Sequence, residues 1–369
     1  MAPTLPRTLR IASPVHRADC HFWPPSHPEG GPNRQSGSWT GPRQEQMARG
    51  QTTLRADAAI ATRGRETISR VAKPSRLPAE LETAPFTVRQ AAAYGLTRRR
   101  TRARDLTTPF RGVRTSPDNL DLIGLCKAYA TRMPQGQVFS HRTAAMLWKL
   151  PLPDSAPLPL HVAVPAPLRQ PRMKGVVGHR LGTHAETRFI AGLPVVAPCD
   201  AWCQLADSLG PDDLVAAGDR LLGWRDALAT LDELDQAIVR FGSRPGVAAL
   251  RRARIHIRPR SASRRETLLR LNVLRHGYPE PECNGAIELS AGWMTHGDLV
   301  FRRYRVLLEY DGEQHRTDDR QFHRDVERLN DLATDSWIVI RVGRRLPLRR
   351  ALAQLDRALR ARGWSGSAR

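Results

Sequence analysis

From Ser263 onward the chain alternates between helix-period and strand-period segments, and that succession limits its fold more than any other feature. A helix is expected over Arg264 to His276, then strands near Asn284 to Leu289, His296 to Phe301 and Tyr304 to Tyr310. A helix from about Asp319 to Ala333, the run WIVIRV and a last helix from Pro347 to Arg362 complete the order αβββαβα. Three consecutive strands can form a meander with helices covering the sheet, so residues 263–363 are expected to form an α/β layered domain. Trp337 to Val342 is apolar on both faces, as a buried central strand would be.

Two of these strands carry acids where apolar residues are the rule. Asp298 opens the apolar part of HGDLVF, and Glu309 and Asp311 end LLEYDGEQHR, with His315 close behind. Strand side chains alternate, so Glu309 and Asp311 point the same way. An antiparallel turn through FRRYR brings Asp298 to the same end of the sheet, and Glu266 on the preceding helix is a fourth candidate. Carboxylates this close repel unless a cation, a proton or an arginine stands between them. Several carboxylates beside a histidine suit Mg²⁺, which takes a few carboxylate oxygens plus water and phosphate. Such an ion activates water for attack on phosphorus and stabilises the leaving oxygen. Structural readings compete: Glu266 could pair with Arg270 at i+4, Asp325 with Arg328 at i+3, and Asp311 could be a turn residue before Gly312. Asp298 and Glu309 are harder to explain that way, because acids in apolar strands are costly without a compensating partner.

Charge directs attention to the front of the chain. The formal net charge is +22, and Lys73, Lys127, Lys149 and Lys174 are the lysines, so arginine supplies nearly all of it. A polyanion partner fits that balance, because cationic side chains that displace counterions dominate affinity for phosphate. Residues 1–80, rich in Pro, Ser, Gly and Arg without an apolar period, read as a disordered tail. In residues 85–116, TVRQAAAYGL reads as a Thr-capped helix stopped at Gly95. RRRTRARDL follows as a second helix and TPFRGVRT as a short β-wing. Helix, turn, basic helix and wing is the layout of a winged helix-turn-helix, with Arg98, Arg99, Arg100, Arg102, Arg111 and Arg114 as candidate DNA contacts. Residues 117–250 form a mixed middle region with His141 and His179 as structural or phosphate-contacting histidines, and RRARIHIRPRSAS reads as a linker.

The run GDLVFRRYRVLLEYDGEQHR, followed by RDVERLNDL and WIVIRV, resembles the domain of unknown function 559 family. That family is similar to very-short-patch-repair endonucleases and belongs to the PD-(D/E)XK restriction-endonuclease-like superfamily. The likeness covers roughly residues 263–345. It implies that Asp298 takes the place of the PD aspartate, Glu309 the (D/E) position and Glu266 the acidic position of the first helix, with Asp325 and Arg328 matching an acidic and basic pair. It also implies Mg²⁺-dependent hydrolysis of DNA; Asp311 joins Asp298 and Glu309 as a candidate metal ligand by its place beside Glu309 on the strand and not by the resemblance. The motif's lysine position holds Asp311, and no lysine follows Lys174. His315 is the candidate substitute, since a neutral imidazole can accept the proton of water near physiological pH. DSW stands before the last strand where the family has a GW pair, a change of packing rather than chemistry.

Further forward, TVRQAAAYGLTRRR, PFRGVR, SHRTAA, LPLP, GHR and GLPVVAPCDAWCQLA resemble the abortive-infection type IV antitoxin family (AbiEi-like) over about residues 85–225. This implies a DNA-binding winged helix, with a cognate toxin as a further candidate partner. Two functions are therefore expected to compete: a DNA-binding endonuclease, or a non-catalytic antitoxin-like regulator whose nuclease fold has lost activity with its lysine. No apolar run reaches the length of a membrane span, and a cytoplasmic location is expected. The five cysteines are scattered, and only Cys199 and Cys203 could meet, on one helix.

Overall fold

The computed structural model describes residues 74–368 apart from 184, 311–318 and 344–345. Most of the segment expected as a tail, 1–73, lies outside the described residues. The chain is a mixed α/β structure. It begins with α1 (Ala79–Glu82), β1 (Phe86–Thr87) and α2 (Val88–Ala93). Thr87 starts α2 with a reciprocal cap: its hydroxyl accepts from the Gln90 N–H at 3.1 Å, and the Gln90 side chain accepts from the Thr87 N–H at 2.7 Å. Gly95, at φ +73°, lets the chain turn away where a Cβ would be strained.

The expected basic helix is a single 3₁₀ turn over Arg100–Arg102. Arg100 folds inward, donating to both oxygens of Asp105 at 3.0 and 2.8 Å and to the Ser75 carbonyl at 2.5 Å. A guanidinium held inside by partners before and after it tightens the backbone instead of letting a helix run on. β2 (Val113–Arg114) then pairs antiparallel with β1.

The middle region continues with α3 (Leu122–Ala130), β3 (Val138–Phe139), α4 (His141–Leu147), β4 (Leu160–Val164), β5 (Val176–Arg180), β6 (Thr187–Ile190) and β7 (Leu193–Val196). Its five-stranded sheet has the order β5-β4-β3-β7-β6. Phe139, Leu160, Val162 and Val195 are completely buried beneath α3 and α4. Four helices follow: α5 (Pro198–Cys203), α6 (Pro211–Leu221), α7 (Leu231–Phe241) and α8 (Val247–His256). They pack on Trp202, whose indole N–H donates to the Leu214 carbonyl at 2.9 Å. The first half of the expected linker, through His256, belongs to α8, because Leu250, Ala253 and Ile257 bury against this same core.

The last part contains α9 (Arg264–Arg275), β8 (Glu282–Glu288), β9 (Met294–Phe301), β10 (Val306–Tyr310), α10 (Asp319–Thr334), β11 (Ile338–Val342) and α11 (Leu348–Ala361). These bounds follow the sequence expectation closely. The sheet order is β11-β10-β9-β8, antiparallel except for the parallel pair β10–β11. β11 is therefore an edge strand, not a central one. Its apolar character has another cause: Leu355 and Leu359 of α11 pack on one face of the sheet and Leu332 of α10 on the other, so even its edge is covered on both sides.

α6 is tied to α9 through buried charge. Asp219 accepts from Arg270 Nη2 at 2.7 Å, from the Thr267 hydroxyl at 2.8 Å and from the Arg258 N–H at 2.7 Å. Both ionic side chains have essentially no exposure. Arg270 thus pairs with Asp219 rather than with Glu266.

Candidate functional site

Three of the five expected acidic-site residues come together at the start of α9 and on the two central strands of the second sheet. Ser263 caps α9, accepting from the Glu266 N–H at 3.2 Å while its own hydroxyl donates to Glu266 Oε1 at 2.9 Å. Glu266 Oε2 accepts from the Ala262 N–H and from Asn284 Nδ2 of β8, each at 2.9 Å. The carboxylate is buried and held by both the helix entry and the sheet. Asp298, on β9, accepts from the Tyr310 N–H of β10 at 2.7 Å. Burial, reinforced by Glu266 and then Glu309, pushes its carboxyl up to about 7 despite the Tyr310 N–H and Arg328.

Glu309 of β10 forms an ion pair with Arg328 of α10, which offers it both terminal nitrogens, Nη1 at 3.3 Å. The same guanidinium donates from Nε to the Thr295 hydroxyl and from Nη2 to the His296 carbonyl, each at 2.8 Å. Arg328 therefore stitches α10 to β9 and β10 instead of staying on its own helix with Asp325. The Arg328 guanidinium pairs with Glu309 and eases the charge on Asp298, whose carboxyl is still held well above the usual aspartate range by burial and its acidic neighbours. Asp311 and His315 lie outside the described residues.

Among the described residues no group of three His, Cys, Asp or Glu side chains is arranged to hold a metal ion. Donor type and charge nevertheless fit Mg²⁺. Asp298 and Glu309 offer hard oxygens near a third carboxylate, Glu266, and a carboxylate bound by arginine keeps lone pairs for a cation.

At the front of the chain, Arg98, Arg99, Arg102 and Arg111 are exposed. Arg100 and Arg114 are not available as the sequence suggested. Arg100 is buried against Asp105, and half-buried Arg114 donates to the Thr101 carbonyl at 2.5 Å and to the Val113 carbonyl at 2.9 Å. Burial, with Arg102 nearby, pulls the Arg114 pKa down.

His141 and His179 stack with ring centroids 3.6 Å apart, and His161 joins them through an Nδ1 to His179 Nε2 hydrogen bond of 2.9 Å. Burial and mutual repulsion lower His141 to about 3, and burial with His179 and Arg142 lowers His161 to about 4. Burial thus disfavours positive charge on all three rings. His161 was missed in the sequence because only its partner strand places it beside the other two. Cys199 and Cys203 are buried core thiols, raised by burial.

No family model matches the chain. It is similar to two uncharacterized proteins of Mycobacterium tuberculosis, Rv2248 of strain H37Rv and MT2308 of strain CDC 1551. Each is 26% identical over 220 residues, spanning 60% of this chain and 79% of the relative. Among the described residues no helix is long and apolar enough to cross a membrane.

Proposed function

We propose that this protein binds DNA and hydrolyses its phosphodiester bonds with a restriction-endonuclease-like C-terminal part. One observation carries the reading: an α-helix followed by three strands, a helix and a parallel strand supports Glu266, Asp298 and Glu309 at one place on the sheet. Asp298, Glu309 and Asp311 would hold Mg²⁺, which supplies Lewis-acid stabilisation of charge on phosphate oxygens and a more acidic water. Glu266 sets the entry of α9 and, through Asn284, the position of β8 against it. Asp298 must give up its proton to act as a ligand, so activity rises with pH through its titration. Arg328 holds Glu309 toward α10 and offers a cation beside the phosphate path. His315 is proposed as acceptor of the attacking water's proton. Arg98, Arg99, Arg102 and Arg111 are the proposed DNA contacts of a winged-helix-like front, presented from a short turn rather than a long recognition helix.

The ion pair between Arg328 and Glu309 supports a second reading, a non-catalytic antitoxin-like regulator in which an arginine substitutes for the metal and a toxin is the further partner. Supercoiled plasmid incubated with the full chain, with Mg²⁺ or with chelator, separates the two. The nuclease reading expects Mg²⁺-dependent nicking or cutting that Asp298→Ala abolishes while gel-shift affinity is kept. Equal behaviour of wild type and variant on DNA leaves the regulator.

A further inference from the structure

Beside the carboxylate site stands a group of side chains that hydrolysis does not use. Trp224 lies just beyond α6, and its indole centroid is 4.8 Å from the His296 ring at an interplanar angle of 53°. Arg225 and Arg260 bring their guanidinium carbons to 4.8 and 5.8 Å from the same indole. Trp224 and His296 are partly exposed, and Arg225 and Arg260 are exposed. An aromatic face ringed by cations is complementary to a nucleotide, whose base stacks and whose phosphate is anionic.

The group is wired to the carboxylates at both ends. Arg260 donates to the Asn284 carbonyl at 2.7 Å, and Asn284 returns a bond to the Arg260 carbonyl at 2.8 Å while holding Glu266. Arg260 and Asn284 both sit in the left-handed region, at φ 71° and 43°. Non-glycine residues persist there only where the surroundings over-determine them. On the other side, His296 gives its carbonyl to Arg328, the partner of Glu309, and stands two positions before Asp298 on β9.

We infer that Trp224, with Arg225, Arg260 and His296, forms a stacking platform for an unpaired nucleotide of single-stranded nucleic acid, presented to the Asp298 and Glu309 site. The inference rests on the nucleic-acid reading of that site and narrows its substrate to strands with an accessible base, since a base paired within a duplex offers no free face. Arg260 is the fixed flank, and the exposed Arg225 is the one that moves with the incoming base.

The test uses the full chain in chelator, where no cleavage competes, and fluorescence anisotropy of a labelled single-stranded oligonucleotide and its duplex at one salt concentration. The readout is the ratio of the two affinities. Wild type is expected to favour the single strand, and Trp224→Ala to weaken that binding roughly 5- to 100-fold with little change on the duplex. Trp224→Phe, which keeps an aromatic face, should retain most of the preference. If Trp224→Ala fails to fold, Arg225→Glu at the exposed position must still reduce the ratio. An unchanged ratio in these variants, or a wild type without single-strand preference, overturns the platform. Failure of the hydrolytic reading looks different: plasmid stays uncut with Mg²⁺ while the Trp224-dependent preference persists.

Discussion

Asp298 is the residue on which site chemistry and stability meet. Its carboxyl is raised to about 7, whereas an ordinary aspartate titrates near 3.9. Between those values the unfolded chain has lost a proton that the folded chain keeps, so this group's contribution to stability falls as pH rises toward 7 and is flat above it. Asp298→Asn carries no titrating proton. Relative to wild type its stability should improve across that window by roughly 2 to 4 kcal/mol. Urea unfolding in chelator at about pH 5 and about pH 8 checks the sign. A difference between the two proteins that does not change with pH would mean that Asp298 titrates normally. Asp298 stood out in the sequence because an acid interrupts an apolar strand. The arrangement at Glu309 did not, because Arg328 looks equally suited to Asp325 on its own helix.

At the scale of elements, β9 depends on a residue with no side chain. A Cβ on Gly297 would collide with the Leu307 side chain of β10, which is fully buried and has to shift within a packed core. Gly297→Ala should therefore destabilise the protein by about 1 to 3 kcal/mol through overpacking, read from the urea midpoint, and shift the neighbouring Asp298. A midpoint equal to wild type would show that β9 and β10 separate more easily than their packing indicates. The elements after Ser263 were legible because their periods differ and caps mark their ends. Two features were not. A strand covered on both faces has the same composition at an edge as at the centre, so β11 was misplaced. The stretch from Arg98 to Leu106 has helical composition, yet Arg100 bonds to Ser75, a tertiary contact that no local pattern carries.

Across the described residues as a whole, the Asp219–Arg270 pair decides how separable the parts are. Arg270 is wholly buried and its Nε and Nη1 have no hydrogen-bond partner, so Asp219 is its main compensation. Asp219→Ala should cost about 3 to 5 kcal/mol by leaving that charge unmatched, and adding Arg270→Leu should recover most of the loss. Thermal melts of the single and double variants make the comparison. A double variant no better than the single would put the cost in packing rather than charge. The same contact bears on inheritance: a gene segment encoding α9 and the C-terminal sheet without α6 would arrive in a new host protein with the Arg270 guanidinium stripped of the carboxylate that pairs with it. Recombination that keeps this contact has to carry α6 together with α9.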